Sequence, residues 1–584
     1  MKFLKRFLSA HIHIHPLQKA EQVVRSLTAS GRVLFIFFSL LLVGSSFTLL
    51  FMVSRQFYVT VPAPGGTLSE GIIGAPRFIN PLLAISDADR DLVSLTYSGL
   101  LRSEVGGDFA PDLAESYSIS EDGRTYAFIL RADATFQDGT RVTADDIVYT
   151  VAQAQDPNVK SPKRANWDGV TVEKISDSEV HFVLKSPYAP FIENTTMGIL
   201  PKHLWKDVSA EEFPFSSLNV EPVGSGPFKV SSVSRNASGI PQSYSLSPFK
   251  NYALGSPYLS SIKLTFFENE QQLVSAINSG AVDAASGISP SHLNQLPQET
   301  IRRAPLNRVF GVFFNQNQSE LLRDKTVRTA LSMAVNRNAL VENVLGGFGS
   351  PIKAPLPPGI INGSKPEELA SVTDPEVAAR AYLEKAGWVW SEEERALTKK
   401  KDKKTTTVLA FTLSTANVPE MRRSAEEIKN SWEKMGARVD VKIFEQGDLN
   451  QNVIRPRKYD ALLFGEIVGR ELDLFAFWHS SQRNDPGLNI ALYANTTADH
   501  LLEELRVVQT DEERQVIYNK FNTEIQKDVP AVFLYSPDFT YVLPKTIEGL
   551  ELPSVAIPSE RFLTVYKWHT EVDYVWSFLT RFTH

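Results

Sequence analysis

The chain has 584 residues, too many for one hydrophobic core, so at least two lobes or domains are expected. Its 43% hydrophobic and 22% charged residues are ordinary for a globular protein, and with no cysteine it can form no disulfide, thiol nucleophile, Cys-based zinc site or lipid-modified cysteine anchor. The net charge of −7 hides an asymmetry: residues 1–32 carry Lys2, Lys5, Arg6, Lys19, Arg25 and Arg32 against Glu21 alone, and the 54 basic and 66 acidic residues beyond them argue against a nucleic-acid surface on the body.

Residues 33–53 (VLFIFFSLLLVGSSFTLLFMV) run without a charge for 21 positions, long enough to span a bilayer. The basic excess precedes them, which places residues 1–32 in the cytoplasm as a basic tail and the main body outside the cell membrane. A cleaved signal peptide is the alternative. The long tail, the length of the apolar run and the lack of an A-x-A site favour an uncleaved, single-pass anchor. His11, His13 and His15 alternate in the tail, but no fourth ligand accompanies them, so neither a metal site nor a cofactor is expected. Pro62, Pro64 and Gly65-Gly66 then mark residues 54–65 as a linker or short stalk.

In the body, residues 92–101 (LVSLTYSGLL) have helical spacing. The stretch from Tyr126 to Val151 (YAFILRADATFQDGTRVTADDIVYTV) is the most strongly specified unit. Phe128 and Leu130 alternate with residues of the other face, as in a half-buried strand. Asp138-Gly139 supplies turn chemistry. Thr143 and Asp146 have the spacing of a capping box, with Val142 and Ile147 as its hydrophobic staple. This unit resembles the F-x-D-G-T-x-[VL]-T-A-x-D-[VI] pattern of the extracellular solute-binding proteins of the peptide/nickel transporter family, family 5, and Ala110–Leu130 resembles that family's lead-in. Gly65–Leu83, with its Asn80-Pro81 turn, is similar to the family's opening.

Further along, residues 166–191 alternate as two strands about a turn at Ser176-Asp177. Val223–Phe228 (VGSGPF) resembles the family's G-[TS]-G-P-[YF] element; no Lys-Ser/Thr follows, so a phosphate-binding loop is excluded. Leu273, Val274 and Ile277 give a helix stripe that ends at Gly280. Residues 309–318 read as a buried strand, and residues 321–347 read as helices and resemble a second family pattern, L-x-D-x-x-V-R-x-A. The basic run 399–404 reads as a solvated turn, residues 420–436 as an amphipathic helix and residues 459–468 as a buried strand. Arg561–Trp576 resembles the family's closing pattern.

The alternation of strands and helices gives an α/β protein. The resemblance implies a two-lobed, periplasmic-binding-protein-like (type II) fold with an extra subdomain in lobe I, preceded by one transmembrane helix. Residues 66–95, 222–304 and 546–576 would form lobe I, 96–221 the inserted subdomain and 305–545 lobe II, with chain crossings near 305 and 545. It also implies an ABC importer component that captures an oligopeptide, or another small solute such as a nickel chelate or a sugar, and delivers it to permease subunits. Peptide-binding relatives carry G-W-x-x-D after the strand matching 461–468. Here Gly465 is kept, Glu466 stands at the tryptophan position and Gly469 at the aspartate position, which leaves Glu471 or Asp473 to supply the carboxylate. Trp478, Asn489 and Tyr493 complete the expected ligand-binding set as an aromatic wall with one amide, or else as interlobe packing. No G-x-S-x-G or H-E-x-x-H is present and the body histidines share no motif, so no enzyme is expected. A tethered sensor or envelope factor is the competing reading.

Overall fold

The computed structural model describes residues 24, 26–55, 57–104, 108–358, 374–402, 405–469, 473–508, 510–552 and 554–577, in two compact units. The first unit holds the apolar helix Ala29–Arg55, whose 27 residues at 1.5 Å each extend about 40 Å. It also holds a two-stranded antiparallel ribbon, Tyr58–Ala63 against Glu571–Trp576. The stretch expected to be a stalk is therefore a strand, and Glu571–Trp576, the end of the segment expected in lobe I, pairs with it. Prolines are tolerated because the ribbon is all edge. Tyr58 and Trp576 meet edge to face at 5.9 Å.

The second unit, residues 64–570, is built on a mixed sheet of twelve strands among the described residues. Its lobe I half contains Thr67–Ile73 in parallel pairing with Ser261–Phe267 and, through Ser261–Phe267, the antiparallel strands Pro241–Pro248 and Phe228–Arg235. Its lobe II half contains Arg308–Phe314 antiparallel to Ala461–Ile467, with Ala410–Ala416 and Arg438–Phe444 parallel beyond it. One strand, Ala531–Val542, belongs to both halves: residues 531–535 pair with 310–313, and residues 538–542 pair with Ile301–Pro305. The outward connection between the two halves runs through 306–307. The return lies inside this strand at 536–537, where Leu306 N–H donates to the Pro537 carbonyl and the Ser536 hydroxyl to the Leu306 carbonyl.

The inserted subdomain is a four-stranded antiparallel sheet, Ala114–Ile119, Thr125–Leu130, Glu179–Val183 and Thr171–Ser176, packed on the helix Ala144–Gln155. The capping chemistry forms as expected: the Thr143 amide and hydroxyl each donate to the Asp146 carboxylate at 2.9 Å, and Val142 and Ile147 are buried. The first lobe I helix runs Asp87–Thr96, earlier than its apolar spacing implied, because Ser86 and Asp89 close a capping box and fix its start. The glycine-rich element docks on the end of that helix. A Cβ at Gly224 would collide with the Thr96 carbonyl, and Gly226 N–H donates to that same oxygen at 2.9 Å. Gln137 clamps the joint, its side-chain amide reaching the carbonyls of Thr96, Gly226 and Phe228.

Lobe I is tied together by a fully buried charge cluster. The Arg561 guanidinium binds Glu70 at 2.7 and 2.9 Å and Asp91 at 2.6 and 2.7 Å, and the Tyr541 hydroxyl donates to Glu70 at 2.8 Å. Burial pushes both carboxyls upward against the pull of Arg561. Arg561→Met is therefore expected to cost about 3–5 kcal/mol, because it strands two buried carboxylates. These carboxyls then stay protonated in the folded state above their unfolded pKa, so the deficit in denaturant midpoint deepens as pH rises from 5 to 8. Adding Glu70→Gln and Asp91→Asn should recover most of it.

Candidate functional site

Lobe I, the subdomain and lobe II enclose a cleft of about 1280 Å³. Lobe I contributes Tyr252 and Tyr566, its inserted subdomain Tyr97, Ser98, Arg102, Asp112, Trp167, Tyr188 and Glu193, and lobe II Gly469, Asp473, Phe475 and Arg506.

At one place the subdomain and lobe II touch across this cleft. Arg506 forms a bidentate pair with Asp473, Nε to Oδ1 at 3.1 Å and a terminal nitrogen to Oδ2 at 2.6 Å. The Tyr188 hydroxyl donates to the same Oδ2 at 3.0 Å, and Ala189 N–H donates to the Arg506 carbonyl at 2.9 Å. The guanidinium lies 3.7 Å from the Phe475 ring centroid and 5.2 Å from that of Tyr188. Burial, reinforced by the Asp473 charge, raises the Tyr188 phenol well above its ordinary value, so it stays a donor. These groups form a latch in which Asp473 is fully engaged.

Of the residues nominated from sequence, Gly469 and Asp473 line the cleft, whereas Glu471 lies outside the described residues. Gly469 is closely faced: a Cβ there would stand 3.2 Å from Glu193 Oε2. The others sit in the interior of lobe II rather than on the cleft wall. Trp478 is fully buried among Phe313, Tyr493 and Phe533. The buried Asn489 amide donates to the carbonyls of Trp478, His479 and Tyr493, so it ties down the loop that was expected to face a ligand. The Tyr493 hydroxyl donates to Asp528 at 2.8 Å. Gly465 is required by packing, since a Cβ would lie 2.6 Å from the Phe310 ring.

Glu466, next to it, is 3% exposed and neither carboxyl oxygen has a hydrogen-bond partner. Burial pushes its pKa well above the ordinary value, so it is held as the neutral acid. Arg506, Tyr188, Asp112 and Arg102 were not nominated. Asp112 falls in the lead-in 110–130, which was read only as a family resemblance, and the alternating pattern around Tyr188 marked its neighbourhood.

The neutral acid has a measurable consequence. The folded chain keeps a proton that the unfolded chain releases above about 4.5, so this site weakens stability as pH rises. Glu466→Gln removes that slope. Its stability to denaturant should equal or trail the wild type at pH 4.5 and exceed it increasingly as pH rises above that.

Three comparisons bear on this arrangement. The family model for bacterial extracellular solute-binding proteins, family 5 Middle, matches residues 108–486. The oligopeptide-binding protein AppA of Bacillus subtilis is 27% identical over 514 residues, covering 87% of this chain and 92% of its own. Its structure with a bound nonapeptide superposes with a TM-score of 0.66 at 26% identity, covering 87% of this chain and 99% of that one. The ABC transporter substrate-binding protein CtaP of Listeria monocytogenes superposes with a TM-score of 0.72 at 26% identity, covering 87% and 100%.

Proposed function

Because the chain belongs to the bacterial extracellular solute-binding proteins of family 5, we propose that it captures oligopeptides between its two lobes and delivers them to the permease subunits of an ABC importer. The observation that carries this reading is the cleft. Its volume of about 1280 Å³ exceeds the roughly 300–1,000 Å³ of sites built for one drug-sized molecule, and it is walled by both lobes, as hinge closure over an extended ligand requires. The likeness to a relative whose structure holds a nonapeptide supports the same ligand class. In this reading the protein binds and releases its solute unchanged.

In this scheme Gly469 and Asp473 meet the ligand on the lobe II side, with Asp473 exchanging Arg506 and Tyr188 for ligand donors. The apolar helix 29–53 holds the body at the outer face of the membrane as a single-pass anchor, with the basic residues 1–32 on the cytoplasmic side. The competing reading is a tethered sensor or envelope factor for a non-peptide solute. It is favoured by Gly469, which leaves the customary aspartate position without a carboxylate.

Two measurements test these assignments. Full-length protein extracted in detergent and then denatured should release a ladder of short peptides by mass spectrometry; one non-peptide mass would replace the ligand class. A chain lacking residues 1–55 retains the strand Tyr58–Ala63, so it should remain soluble and folded and still bind. The full chain should sediment with membranes, and its appearance in the soluble fraction would remove the anchor.

A further inference from the structure

The lobe I wall of the cleft carries a carboxylate that neither the latch nor the core uses. Asp112 lines the cleft, is only 4% exposed, and its Oδ1 has no hydrogen-bond partner. Its backbone is pinned on both sides: the amide donates to the Leu100 carbonyl at 3.0 Å, and the carbonyl accepts from Arg131 Nε at 2.7 Å. The side chain is thus presented from a fixed position. Buried acceptors in native proteins are almost always satisfied, so an orphan on a cavity wall points to a donor brought by a ligand. Burial pushes this carboxyl up to about 7 even though the Ser98 hydroxyl and the Arg102 and Arg131 guanidinium groups pull it down.

The surroundings select the sign of that donor. Arg102 pairs with Glu104 at 2.9 Å through a terminal nitrogen, its buried Nε has no partner, and its guanidinium lies 5.9 Å from the Tyr566 ring centroid. Tyr252 and Tyr566 stand edge to face at 5.7 Å beside the carboxylate, and both line the cleft. Aromatic faces favour a cation, and an enclosed carboxylate favours a charged N–H donor over a neutral one.

We propose that Asp112 is the residue that reads a primary ammonium group of the bound solute, supplying from lobe I the carboxylate that Gly469 does not supply from lobe II. This assignment rests on the peptide reading above. An ammonium group can come from a peptide N-terminus or from a lysine side chain, and the test separates the two.

Full-length protein would be titrated by calorimetry with three pentapeptide pools: one with free N-termini and no Lys or Arg, the same pool N-acetylated, and the acetylated pool with a central lysine. Wild type should bind at least one amine-bearing pool tenfold or more tightly than the acetylated, lysine-free pool. A preference for the first pool identifies the N-terminus, and a preference for the third identifies the side chain. Asp112→Asn should abolish the preference while leaving affinity for the acetylated, lysine-free pool within twofold. Asp112→Glu, which keeps the charge but moves it by one methylene, should retain part of it and guards against a folding defect in the amide variant. Equal binding of all pools by wild type, or a preference that survives in Asp112→Asn, overturns the assignment of Asp112 and leaves the peptide reading standing. No binding of any pool to wild type brings down both.

Discussion

Both lobes depend on a single strand. Ala531–Val542 is hydrogen-bonded to the lobe II sheet through its first five residues and to lobe I through its last five, so the two halves share one backbone. A strand paired on both sides cannot bend within its paired stretches without breaking ladder bonds, so the hinge falls at residues 536–537, which have a ladder partner on one side only, Gly349–Ser350, and at the facing residues 306–307. Beyond the hinge, Tyr541 passes its hydroxyl to Glu70, and Arg561 gathers Glu70 and Asp91 beneath it. The strand, the first strand of lobe I, the first helix and the segment after the return crossing are thus locked into one rigid body. Rigidity on that side is what allows a hinge on the other to move a lobe as a unit.

The cleft contains two kinds of polar group. Asp473, Arg506 and Tyr188 satisfy one another across it, and Arg506 also covers Phe475. A solute that uses Asp473 must first displace a bidentate arginine. Asp112 differs in being enclosed on the opposite wall with its Oδ1 unpartnered. A ligand group reaching Asp112 gains a full charge-assisted bond without giving up an existing one, whereas a group reaching Asp473 gains only the difference between two partners.

Local rules were legible because they act over a few residues. The cap at Thr143, its staple and the helix that follows needed only residues 142–147 to be identified, and the glycine-rich element was recognisable by its resemblance to a short family pattern, while its docking on the Thr96 carbonyl was not legible. The ribbon was not legible, since Tyr58–Ala63 finds its partner more than 500 residues away at Glu571–Trp576 and its prolines suggested a stalk. The placement of Trp478, Asn489 and Tyr493 shows why sequence proximity is a poor guide to a cleft. Gly469 and Asp473 do line it, but within ten residues the chain turns inward, and the amide of Asn489 closes that turn by bonding three carbonyls. No periodicity announces such a turn. Asp112 was equally silent: its neighbours Pro111 and Leu113 read as part of a lead-in, and only the fold brings Tyr252 and Tyr566 alongside it.

Placing the ammonium contact on lobe I also sets the order of events. If the carboxylate that recognises the solute lay on lobe II, recognition and closure would fall to the mobile side of the hinge together. With Asp112 fixed between Leu100 and Arg131 on the subdomain wall, an open protein can hold its solute on one wall before the other arrives. Closure then adds lobe II contacts, and only those contacts bias the open–closed equilibrium, because binding that is equal in both states shifts nothing. A solute that takes Asp473 from Arg506 and Tyr188 must contribute more across the cleft than these three groups give to one another. Solutes too short to reach from Asp112 to lobe II would bind without closing the protein, which makes ligand span, as well as ligand charge, a criterion for delivery.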